Sequence, residues 1–112
     1  MRVYLPTTLA GLAQLREEGS LTASVERYVA DGDDEQSEYA ALMAAAVDAA
    51  GLLSGPGRRV VVVADIPDAD GGVPLRDVVA VHADPDERPA DADPEDDLAW
   101  YATQEIDALL SG

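Results

Sequence analysis

Three aspartates, Asp65, Asp68 and Asp70, fall within six residues at the end of a valine run, in "VVVVADIPDAD". Carboxylates at that position could hold a divalent cation or a phosphoryl group, because ligands of open α/β sheets gather beyond the carboxyl ends of strands. His82, the only histidine, could serve such a site as general base, since neutral imidazole suits proton transfer near pH 7. One reading is therefore a small metal-dependent enzyme with Asp65, Asp68 and Asp70 as ligands. The competing reading is that acidic residues simply fill a turn, which Asp does readily. An EF-hand loop needs glycine at its sixth position. In "DGDDEQSE" and "DADPEDD" that position is held by Gln36 and Asp96.

The rest of the catalytic repertoire is thin. One histidine excludes a two-histidine zinc site, and the absence of cysteine excludes thiolate ligands, thiol nucleophiles and disulfides. None of the five serines lies in G-x-S-x-G. "SGPGRR", residues 54–59, has glycines and adjacent arginines, but a phosphate loop requires a lysine that the chain lacks. It is better read as a helix-to-strand connector. His82 then becomes a partly buried or edge residue of its strand, on the face of Ala80 and opposite Val79 and Val81. No catalytic residue or cofactor is expected.

The single tryptophan, in "LAWYATQEI" (98–106), raises a different possibility. On a helical wheel Leu98, Ala102, Ile106 and Leu109 form a core stripe, and Trp100 falls about 140° from its centre at 100° per residue. Either a loop covers the indole or it marks a contact surface, where tryptophan is enriched. Trp100, with Gln104, is the candidate interaction surface, for a protein partner or for a second copy in a homo-oligomer.

Charge narrows the partners. The net charge is −16, with −6 in residues 31–57 and −7 in 84–97. Nucleic acid and anionic membranes are disfavoured, because both are bound through basic surfaces. Acidity could instead imitate a nucleic-acid backbone or inhibit a basic partner; ordinary solubilisation is the competing explanation. No leader-like segment precedes Arg2, and the longest apolar run is far too short for a bilayer. A cytoplasmic protein is the default expectation.

These residues must be positioned by one domain, the size that 112 residues suits. Residues 2–5 predict a strand closed by Pro6. Thr7 or Thr8 caps a helix that Gly19 ends. Leu21, Val25, Tyr28 and Val29 suggest a second helix capped by Thr22. "DDEQSEYAALMAAAVDAAGLLSG" predicts a third, with Tyr39, Leu42, Met43, Ala46, Ala50 and Leu53 as its buried stripe and Asp48 opposite. Four valines indicate a strand buried on both faces, and "DVVAVHA" (77–83) another. "DPDERPADADPEDD" reads as a mobile acidic connector at about 84–96, before a terminal helix from Pro94 or Glu95 to Leu110. The expected fold is α/β, a small three-stranded sheet with packed helices in the order β-α-α-α-β-β-α. A parallel crossover between the first two strands is favoured.

Four stretches carry a resemblance: "RVYLPTTLAGLAQL", "EYAALMAAA", "RRVVVVADIPDA" and "LAWYATQEIDALL". Together they resemble an uncharacterised family of small acidic α/β proteins from actinobacteria, classed as a domain of unknown function. The "VYLPTT" start and the tryptophan–tyrosine segment are the most specific pieces. The resemblance implies a cytoplasmic actinobacterial protein, in keeping with the lack of Lys, Asn and Phe, which a GC-rich genome would produce. It brings no activity, cofactor or catalytic residue. A non-catalytic interaction or regulatory domain is the preferred expectation.

Overall fold

The valine run forms the central strand of a sheet, and Val60 to Ala64 are buried on both of its faces. In the computed structural model, which describes residues 1–21 and 26–111, this strand is β4 (Val60–Asp65). It follows β1 (Arg2–Thr7), α1 (Leu9–Glu18), β2 (Ser20–Leu21), β3 (Tyr28–Val29) and α2 (Glu35–Gly51). It precedes β5 (Val73–Pro74), β6 (Val78–Ala83), β7 (Ala99–Tyr101) and α3 (Ile106–Ser111). Single 3₁₀ turns at Leu75–Asp77 and Thr103–Glu105 introduce β6 and α3.

The mixed α/β character is as expected, but the sheet is larger than three strands. Five strands in the order β3-β1-β4-β6-β7 pair antiparallel throughout, and β2 and β5 make a separate two-stranded ladder. β1 and β4 are therefore not parallel neighbours; Arg2 lies opposite Asp65 and Thr7 opposite Val60. The crossover through α2 instead joins β3 to β4, which run in the same direction with β1 between them. The strand that begins that crossover has only two residues, too short to stand out in the sequence.

β1 also continues through Pro6, which lies opposite Val61. β3 covers only Val3 and Tyr4, so among the described residues no strand pairs with Pro6 on that side, where a residue without an N–H is tolerated. Thr8 caps α1 by accepting the Gly11 N–H, and Gly19 ends it at φ 78°. Gly11 is needed for close approach: a Cβ there would sit 2.0 Å from Thr7 Oγ1. The second helix is not formed at its described positions, since Leu21 and Tyr28–Val29 are strand and pair with Val73, Tyr4 and Val3. Thr22 and Val25, part of the same expectation, lie outside the described residues.

Strand alternation sorts the core into two layers. On one face Val3, Leu5, Val60, Val62 and Val81 pack with Leu12 and Leu15 of α1 and Ile106 and Leu109 of α3. On the other, Tyr4, Val61, Val63 and Ala80 meet Ala41, Ala45 and Ala46 of α2. The buried residues of α2 are thus alanines, Ala41, Ala45, Ala46 and Ala49; of the expected stripe Ala46 is buried, Leu42 and Met43 pack half-buried against the core, and Tyr39 faces solvent. Small side chains let the helix lie close to the valine-covered sheet, which leaves the bulkier residues at its margins.

The C-terminal segment departs furthest from expectation. Instead of one helix from Pro94 or Glu95, the chain adds β7 to the sheet edge and starts its helix only after a turn at Ala102. There Glu105 accepts the Ala102 N–H at 2.7 Å and its own N–H reaches the Ala102 carbonyl at 2.9 Å. Thr103 ties this turn to β6 by donating to the Val78 carbonyl at 3.0 Å. Ile106 and Leu109 are core, as the wheel suggests, whereas Leu98 and Ala102 are half-buried and belong to no common helix.

Candidate functional site

The α2 side of the sheet carries two unlike neighbouring clusters. At the end where β4 begins, Arg59 and Asp84 are each only 2 % exposed. The Arg59 side chain donates from Nε and Nη2 to the two Asp84 oxygens at 2.9 and 2.7 Å, and its backbone N–H adds a third bond at 2.9 Å. Nη1 donates to the carbonyls of Pro94 and Asp96, both at 2.7 Å. Burial alone would push the Asp84 carboxyl up; the Arg59 hydrogen bonds, with the charges of Arg59 and Arg88, hold it below the usual carboxylate range. Arg88 donates to Asp96 at 2.7 Å and to the Asp93 carbonyl at 2.9 Å. The acidic segment 84–97 is thereby hydrogen-bonded back onto the sheet end. With all three guanidinium nitrogens of Arg59 occupied, this cluster is a structural clamp.

Beside this clamp lies an open groove of about 270 Å³, between the first turns of α2 and strands β4, β6 and β7, which runs from His82 and Trp100, at the level of Val61, to Arg2 at the far end of the sheet. A bulge brings its floor to the surface. Val63 lies opposite Ala80 but Ala64 lies opposite Val78, so Val79 is the extra residue. Bulges bend a strand and re-aim side chains, and Val79 accordingly lines the same groove as His82 instead of facing away from it. Trp100 lies opposite His82 on the edge strand. Three large apolar side chains here face solvent: Trp100 is 60 % exposed, Tyr39 53 % and Val79 41 %.

Polar groups hold the aromatic rims in place. Tyr39 donates its hydroxyl to Asp97 at 2.8 Å, which raises the phenol's pKa. Tyr4, buried beneath, donates to Glu38 at 3.2 Å, and burial with the Glu38 charge pushes its phenol up to about 12. Arg2 spans the groove's end, donating to Glu38 at 3.0 Å and to both oxygens of Asp65 at 3.0 and 3.1 Å. Burial pushes the His82 imidazole below its usual range, keeping it neutral near pH 7.

The sequence-expected residues are thus separated. Trp100 is in the groove; Gln104, exposed on the 3₁₀ turn after β7, is not among its lining residues. Asp65 is engaged by Arg2, whose hydrogen bonds lower its pKa. Asp68 accepts the Asp70 N–H at 3.0 Å in a local turn, and both carboxylates face solvent. Among the described residues no group of three or more His, Asp or Glu side chains is placed to hold a metal ion. The aspartate ligand set is not assembled, because the Arg2–Asp65 pairing of neighbouring strands takes its first member.

Tyr39 and Val79 are the functional candidates that sequence reasoning missed. The alternative Ala41–Ala45–Ala49 stripe, spaced four residues apart, was the available signal for Tyr39, since a helix buried on alanine must turn its tyrosine outward. Nothing in the sequence marks the bulge at Val79. Among the described residues no helix is long and apolar enough to cross a membrane.

Residues 1–110 match the model of a family described as "Family of unknown function (DUF6912)", and the chain belongs to that family. Comparisons with curated proteins and with solved structures give no match.

Proposed function

We propose that this protein is a non-catalytic, cytoplasmic interaction domain that docks on a protein partner through the aromatic groove beside β7, with Trp100 as anchor and Gln104 as a contact at its margin. The observation that carries the reading is the exposure of Trp100 next to Tyr39 and Val79. Large side chains grouped on one surface suit a contact site, and tryptophan is a frequent centre of binding energy. A second copy is a poorer occupant than another protein, because each chain brings a net charge of −16.

A photo-crosslinking residue placed at position 100 in the native host tests this directly, with one at the exposed Glu17 on α1 as control. A discrete crosslinked partner from position 100 and not from position 17 is expected. No discrete product at position 100, or the same products from both positions, would reject the reading. Crosslinking to a second copy would replace the partner with a homo-oligomer.

A further inference from the structure

We infer that the groove receives a basic segment of the partner, with an arginine side chain laid against Trp100 and Tyr39 and steered by the carboxylates around them. The inference rests on the interaction reading above and adds the chemistry of the occupant. Two independent features converge on it. The exposed rings of Trp100 and Tyr39 offer faces to which a guanidinium is attracted, Trp most strongly. The charge around them remains acidic after internal pairing: Glu35 and Glu38 line the groove and Asp97 holds Tyr39, whereas Arg2, the one cationic side chain among the described lining residues, is already held by Glu38 and Asp65. Glu35 is exposed on the first turn of α2 and lines the groove. An incoming cation therefore meets an apolar surface under a negative field, whereas an acidic or purely aliphatic segment would forgo one of the two attractions. Arginine suits the site better than lysine, because its planar, weakly hydrated group stacks on aromatic rings.

Hexa-arginine is a sufficient probe, titrated into the full chain and followed by amide and indole resonances, with hexa-lysine for comparison. Saturable shifts centred on Trp100, Val79 and His82 are expected, stronger with hexa-arginine and weakened by salt. Trp100→Ala should reduce affinity by at least about tenfold, the scale of an anchoring tryptophan. Glu35→Gln should reduce it about threefold, as for one partly screened charge. Glu17→Gln, of equal charge change on the opposite side, should leave it unaltered. Shifts confined to residues 31–34 and 84–97, equal binding by the Trp100→Ala variant, or no binding would overturn the inference. So would concentration-dependent movement of the Trp100 resonance without peptide, since a second copy would then fill the groove. A discrete crosslinked partner at position 100 together with failure of hexa-arginine would discard the cationic occupant and keep the interaction reading.

Discussion

On the α2 face charge is buried where β4 begins and aromatic surface is exposed in the groove beside it, the reverse of what composition alone suggests. Arg59 and Asp84 sit under the chain with all their hydrogen bonds made. Trp100, Tyr39 and Val79 stand in solvent where α2 no longer covers the sheet. A buried ion pair can hold a segment in one arrangement, provided every group is satisfied. Here it anchors an acidic stretch that would otherwise have little apolar material of its own. Exposed aromatics contribute little to folding, so their clustering calls for a different cause. The contrast separates residues retained for architecture from residues available for contact.

Mutations can break that contrast. Asp84→Ala, which leaves Arg59 buried without its counter-charge, should destabilise by about 3–5 kcal/mol, read as a lowered midpoint in urea with the slope unchanged. Ala45→Leu, which forces extra volume between α2 and the sheet, should destabilise by about 1–3 kcal/mol. Trp100→Ala should change stability by no more than about 0.5 kcal/mol, as for an exposed site. A loss as large as that of Asp84→Ala would place the indole in the architecture and end the distinction.

The smallest effect concerns pH. His82 has a lowered folded pKa because burial disfavours its cation. Above about pH 6.5, the ordinary histidine value, it is neutral in both folded and unfolded chains. As pH falls below that value the unfolded chain takes up the proton first, so stability should decline until the folded pKa is reached. Thermal midpoints measured from pH 8 to 5 should show this slope, and His82→Gln should remove it.

How far the fold is legible in the sequence depends on the length of each element. The valine strand, α1 with its Thr8 and Gly19 boundaries, and the position of α2 follow from local pattern and capping. β2, β3, β5 and β7 have two or three residues each, too few to show a period, and their partners lie far along the chain. That is why β3 was expected to be helical and β7 to lie within a helix. The helical wheel for residues 98–109 gave the right core residues at Ile106 and Leu109 but the wrong neighbours, since period-2 alternation governs the chain up to Tyr101. The site was half legible. The indole was singled out because no helical stripe accounted for it, and it faces solvent because its segment is an edge strand. Its neighbours depend on a bulge in β6 and on α2 packing by alanine, both consequences of tertiary fit.

The single tryptophan makes the central claim directly measurable through acrylamide quenching of its fluorescence. An open groove predicts quenching close to that of a free tryptophan amide, unchanged between dilute and concentrated protein. Quenching as weak as that of a buried indole, at any concentration, would contradict the account.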